Sequence, residues 1–252
     1  MKRIATIALA VTFLLGAGAA QADVMGELGL LDVSGTNPAT GAPWAPGDQY
    51  RFAFVVSAAN PLDPNDKTID DFNSHVQSVA DGSSLNLSGA TWKVLGSTAT
   101  VDARDNTSTN PNVQGAGHAI FLLDGSTVIA NNFNDLWDGS IQNPFKNENG
   151  QTPVSSPNYA LYPYTGTRTD GTTVAGVGPN SPLGAPGTAE VHAASSQSTN
   201  GYWITGGSNY KNNTQGSYYA MSDPLEVVPE PATLALLGLG GLGTLIARRK
   251  RR

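Results

Sequence analysis

Ile120-Phe121-Leu122-Leu123-Asp124-Gly125-Ser126-Thr127-Val128-Ile129-Ala130 sets two apolar runs on either side of an Asp-Gly pair. Asp-Gly between such runs favours a type I′ turn, so the stretch predicts an antiparallel hairpin and places the chain among sheet proteins. Upstream, Tyr50-Arg51-Phe52-Ala53-Phe54-Val55-Val56 alternates aromatic and β-branched residues and reads as another strand, as does Thr91 to Leu95. Between them, Ile69, Phe72, Val76 and Val79 recur at helical spacing. Thr68 fits an N-cap, Asp70 and Asp71 lie in a first turn that favours anions, and Gly82 fits a C-cap. An amphipathic helix over Ile69–Ala80 follows.

The remaining segments are weaker. Val24, Leu28, Leu30 and Val33 suggest one strand, followed by a loop through Asn37-Pro38 and Ala45-Pro46-Gly47. Asn131 to Gly139 reads as a polar loop pinned by Phe133, Leu136 and Trp137. Pro144 to Gly187 reads mostly as loop around a strand-like Thr165-Gly166-Thr167, and Tyr202–Thr205 and Tyr218–Met221 as the last strands. Leu225 to Val228 then leads out of the body. These elements make the class α+β, rich in loops.

Both ends carry addresses. Met1-Lys2-Arg3 is a positive start, Ile4 to Leu15 an apolar core, and Ala20-Gln21-Ala22 supplies small residues before a cut, making Asp23 the expected mature N-terminus. At the other end, Val228-Pro229-Glu230-Pro231 precedes the uncharged segment 232–247 and Arg248-Arg249-Lys250-Arg251-Arg252. A spanning helix takes about 20 apolar residues, so segment 232–247 is a short transmembrane helix that snorkelling arginines and local thinning can accommodate. The five terminal cations stop transfer and hold that end in the cytoplasm. The two prolines keep the peptide around Glu230 extended and open to a protease.

Pro229-Glu230-Pro231, the Gly/Leu-rich span and the basic end resemble the PEP-CTERM sorting signal of Gram-negative bacteria that make exopolysaccharide. The resemblance implies processing by an exosortase, a membrane-embedded cysteine peptidase similar to a transpeptidase. Signal peptidase at one end and exosortase at the other divide the chain into a signal peptide (1–22), an exported body (23–227) and a sorting signal (228–252). The implied route crosses the inner membrane, pauses at a transient anchor, and ends at the cell surface or in the extracellular matrix.

The two ends hold seven of the 14 basic residues but only Glu230 of the 20 acidic ones. The body therefore keeps 7 basic against 19 acidic residues, a net charge of −12. That balance excludes nucleic acid, whose phosphates need Lys and Arg, and disfavours anionic polymers unless divalent cations bridge them. With no cysteine, the chain has neither disulfides nor a thiol nucleophile nor a thiolate metal site.

Trp92-Lys93-Val94-Leu95-Gly96-Ser97, Asp102-Ala103-Arg104-Asp105, Leu123 to Ala130 and Asp135-Leu136-Trp137-Asp138-Gly139-Ser140 are similar to an uncharacterised family of bacterial exported domains. Tyr164-Thr165-Gly166-Thr167 and Tyr202-Trp203 fall where that family places its later motifs. The resemblance spans about residues 50–220 and implies a C-type-lectin-like or endostatin-like fold of mainly antiparallel strands, one or two short helices and long loops.

No catalytic constellation stands out. His75, His118 and His192 are not at metal-ligand spacing, and no Gly-x-Ser-x-Gly elbow occurs. Asp63-Pro64-Asn65-Asp66 begins like a calcium loop, but Lys67 and Thr68 occupy positions where an EF-hand needs an oxygen ligand and a glycine. Asp135 and Asp138, beside Asn131, Asn132 and Asn134, offer oxygen ligands for Ca2+, although the same residue types make turns and caps. Arg104, between Asp102 and Asp105, suits a structural ion pair. Tyr162, Tyr164, Tyr202, Trp203, Tyr218 and Tyr219 could stack on sugar rings if exposed, or fill a β-core. The expectation is a non-enzymatic, structural or glycan-associated matrix protein. A calcium-assisted carbohydrate-binding module and a secreted hydrolase built from scattered carboxylates are the alternatives.

Overall fold

The strand Gln49–Val55 (β2) is buried from Tyr50 onward on both of its faces, and the rest of the sheet is arranged to make that burial tolerable. The structure is a computed structural model describing residues 24–57, 62–154, 161–175, 181–186, 190–206, 208–211 and 216–229. A strand with no wet face must find partners for every backbone group within the protein. On one side β2 runs parallel to Ala119–Phe121 (β4), and Val55 bridges to Asn147. On the other side it runs antiparallel to Tyr219–Ser222 (β8) and Leu225–Pro229 (β9), which follow one another past a break at Asp223-Pro224. Outer strands complete the sheet: Val128–Ala130 (β5) beside β4, Trp92–Val94 (β3) beside β8, and Val24–Gly26 (β1) beside β9. All pairings in the sheet except β2 with β4 are antiparallel.

The period-2 alternation of β2 divides the interior. Tyr50, Phe52, Phe54 and Val56 enter one core, while Ala53 and Val55 enter the other. The first core is closed by the helix Ile69–Asp81 (α1), which turns Phe72, Val76, Val79 and Ala80 inward. This helix starts where the sequence predicts. Thr68 Oγ1 accepts from Asp71 N at 3.4 Å and Asp71 Oδ2 accepts from Thr68 N at 2.8 Å, a reciprocal cap. Its polar side also has a structural task. Asn73 Oδ1 and Gln77 Oε1 accept from Val94 N and Trp92 N at 2.9 and 2.8 Å, covering the outer edge of β3.

The second core is built around Trp203, Phe145, Tyr219 and Trp137. Phe145 stacks on Trp203 at 5.9 Å, and the Tyr219 hydroxyl donates to Trp203 O at 2.7 Å. Three single-turn helices, Ala103–Asn106 (α2), Pro111–Gln114 (α3) and Phe133–Leu136 (α4), are too short to show a helical period in the sequence. Phe133, Leu136 and Trp137 pin their segment as expected, but through a helical turn capped by Asn132. Two further corrections concern the later strands. Gly201–Trp203 is a 3-10 turn, and Thr165–Thr167 makes only isolated bridges at its flanks. A further strand, Glu190–Ala193 (β6), pairs antiparallel with Ser208–Lys211 (β7) and carries His192.

The hairpin predicted around Asp124-Gly125 is present as β4 and β5, with a different turn. A type I′ turn needs positive φ at both Asp124 and Gly125, and only Gly125, at 74°, has it. The connection is instead a loop closed by Leu122 N donating to Thr127 O at 2.9 Å. Asp124 organises it by accepting from Ser126 N, Thr127 N and both hydroxyls. Burial alone would raise the Asp124 pKa, but these bonds outweigh it and hold the carboxyl below its ordinary range. Gly125 also admits the chain's N-terminal loop, since a Cβ there would lie 1.6 Å from Leu30 O. Gly125→Ala should therefore destabilise the body by about 3 kcal/mol or more. Urea denaturation of the purified body would measure it.

Candidate processing site

The first and last described residues meet. Val24, Met25 and Gly26 of β1 pair with Pro229, Val228 and Val227 of β9. Gly26 has no room for a side chain, because a Cβ would approach Leu31 Cβ to 2.6 Å and the Tyr50 hydroxyl oxygen to 2.7 Å. That close approach seats β1 against the first core. The ladder continues past β1, with Glu27 N donating to Glu226 O at 3.0 Å and Glu226 N donating to Glu27 Oε2 at 3.1 Å. On the other flank of β9, Val227 N donates to Asp48 O and Gly47 N donates to Val227 O, both at 2.8 Å. Pro229 ends the strand exposed and extended.

Residues 227–252 match the PEP-CTERM protein-sorting motif. The chain carries a PEP-CTERM sorting signal. The signal implies export, membrane-associated sorting and processing by exosortase. No curated protein matches the chain. The PEP-CTERM match begins inside β9, so its first three residues belong to the sheet. Glu230, Pro231, segment 232–247 and the basic cluster Arg248–Arg252 lie outside the described residues, as do Ala20, Ala22 and Asp23. Among the described residues no helix is long and apolar enough to cross a membrane.

The other singled-out residues do not converge. Asp135 Oδ2 accepts from Asn131 N at 2.6 Å and Gln142 Nε2 at 3.0 Å, whereas Asp138 Oδ1 accepts from Ser140 N and Oγ at 2.9 Å. Both carboxylates thus serve turns and caps near their own loop, and among the described residues no group of three His, Cys, Asp or Glu side chains could hold a metal ion. Of the stacking candidates, Tyr164, Trp203, Tyr218 and Tyr219 are fully buried, so of the two readings these four take the β-core one. Their rings hold the two cores together. Tyr202 and Tyr162 remain at the surface, 56% and 39% exposed. Arg104 behaves as expected but loosely, with Nε 4.0 Å from Asp102 Oδ2 and Nη1 donating to Asp170 O at 3.3 Å.

Nothing in the local sequence marks Arg51 as a buried residue. This guanidinium is buried on β2, with Nη1 donating to Ser222 O at 2.7 Å and Nη2 to Ser108 O at 3.4 Å. It lies 5.4 Å from the centre of the Phe133 ring, and burial lowers its pKa to about 10, so it stays cationic at neutral pH. The same Phe133 ring meets His118 edge-on at 5.6 Å. Burial, then the nearby Arg51 charge, hold His118 below its ordinary pKa. The unfolded chain then binds a proton at His118 at a higher pH, about 6.5, than the folded one. His118 should therefore favour the folded state above that pH, and this contribution should fade as pH falls toward the folded pKa. His118→Gln should flatten the dependence of stability on pH between about 7 and 5, measurable by denaturation across that range.

Proposed function

We propose that this protein is an exosortase-sorted cargo whose body works outside the cell, without catalysing a reaction, as a structural or glycan-associated component of the extracellular polysaccharide matrix. The observation that carries the reading is the sorting signal fused directly to the last strand of a folded body. An acidic, cysteine-free body fits a component that must remain soluble and hydrated after release. We assign the body to the C-type-lectin-like class on the motifs from Trp92 to Trp203, in an α+β frame. Exosortase cuts near Pro229-Glu230-Pro231, after which the body is free or attached at the surface.

The test is the fate of the tail. Replacing Pro229, Glu230 and Pro231 together by alanine should leave the body in the inner-membrane fraction. Deleting Arg248–Arg252 should weaken retention before processing. Mass spectrometry should find a truncated C-terminus only in cells that contain the peptidase. Release of the alanine variant at the wild-type rate overturns the sorting half of the reading. Failure of the released body to sediment with extracted matrix overturns the other half.

A second reading, direct carbohydrate binding, is favoured by one observation. The backbones of Tyr202 and of Leu161, the neighbour of Tyr162, meet the same turn, where Ser195 N donates to Tyr202 O at 2.7 Å and Ser196 N donates to Leu161 O at 3.0 Å. A flat ring on each side of a turn can stack on a sugar face. Tyr202→Ala and Tyr162→Ala should each weaken binding to the exopolysaccharide about three- to tenfold without altering thermal stability. A glycan array with calcium or chelator reads both the ligand and any role of the ion.

A further inference from the structure

The sorting tripeptide does not hang from the body on a linker. Its first residue, Pro229, is still in register with Val24, and the residues just before it are paired on both flanks. Backbone groups alternate sides along a strand. Val227 N points to Asp48 and Glu226 O accepts from Glu27 N, so the polar groups of Val228 face β1. Pro229 then sits where an N–H would point away from β1, and its missing donor costs the ladder nothing. β1 itself is an edge strand of three residues whose Met25 side chain is only half-buried.

A peptidase that receives an extended substrate engages the backbone beside the cut by pairing with it as an added strand. Immediately upstream of the tripeptide, that backbone is Val228, and β1 covers it. The geometry points to the β1-facing edge of β9, Val227 to Pro229, as the docking edge of the processing peptidase, with β1 as a short strap that must lift before the edge can be used. The inference rests on the exosortase reading of the tail. It adds that the N-terminal strand of the mature body controls access to the C-terminal signal. A strap this short is suited to the task, because it keeps the edge from pairing with other chains yet yields to a specific partner.

The chain has no cysteine, so a pair introduced at Met25→Cys and Val228→Cys can form only one intramolecular disulfide. These residues are direct cross-strand partners, and such Cα pairs, about 5.5 Å apart in a hydrogen-bonded pair, lie within disulfide reach. In pulse-chase fractionation of peptidase-containing cells, the crosslinked chain should be released at least tenfold more slowly than wild type. Each single-cysteine variant should match wild type, and a reductant should restore release of the double variant. Inserting Gly-Ser-Gly-Ser between Val228 and Pro229 of the crosslinked chain should also restore release with the bond intact, which separates a blocked edge from a misfolded body. Release of the crosslinked chain at the wild-type rate, where wild-type release needs the peptidase, overturns the strap alone. Failure of the insertion to restore release from a protease-resistant body overturns it too. Wild-type release in cells lacking the peptidase overturns the sorting reading, and the strap with it.

Discussion

A strand with no solvent-facing side imposes a severe condition on its neighbours, and β2 imposes it here. Six of its seven residues are buried, one of them an arginine, so every N–H and C=O must be met by protein. β4 and Asn147 meet them on one flank, and the broken strand β8–β9 on the other. Arg51 strengthens the weakest point of that arrangement. Where Asp223-Pro224 interrupts the ladder, its guanidinium donates to Ser222 O, and the Ser222 hydroxyl accepts from Phe52 N at 3.0 Å. The end of β8 is thereby fixed to the centre of the sheet.

The acidic composition finds its explanation in the loops. Among the described residues only two ion pairs occur, Lys93 with Asp223 at 3.3 Å and Arg104 with Asp102 at 4.0 Å. The carboxylates are used differently. Asp32, Asp63, Asp124, Asp138 and Asp170 each accept from the backbone N–H two residues ahead, making local turns that need no cation. Glu148, buried, accepts from Ser57 N at 2.7 Å and from its hydroxyl. A loop-rich chain without disulfides holds its loops by these short-range bonds, which explains why oxygen-rich clusters that resemble calcium loops in sequence are spent on turns.

What could be read in advance follows from range. α1 announced itself because its cap, its first-turn acids and its apolar spacing all act within one helix length, and the alternation of β2 is equally local. The single-turn helices at Ala103, Pro111 and Phe133 are below the length at which a period exists. Trp203 and Tyr202 are adjacent, aromatic and opposite in exposure, which only the packing of Phe145 and Tyr219 decides. The burial of Arg51 was hidden for the same reason, since its partners lie 57 and 171 residues away. The sorting signal was fully legible, because a processing enzyme reads it as a linear string and the sequence presents it in that form.

Covalent reach connects the signal to the fold. Between Pro229, still paired in the sheet, and Ala232, where the apolar segment begins, stand only Glu230 and Pro231. Those links span at most about 10 Å however they are arranged. If segment 232–247 enters a surface before any cut, so short a link holds the body against that surface. A peptidase acting there would have almost no free chain to grasp, unlike one whose signal follows a flexible spacer. Pairing of Val227 to Pro229 in the sheet and processing of the signal then compete for the same few residues, and the strand that covers them, β1, is a three-residue edge.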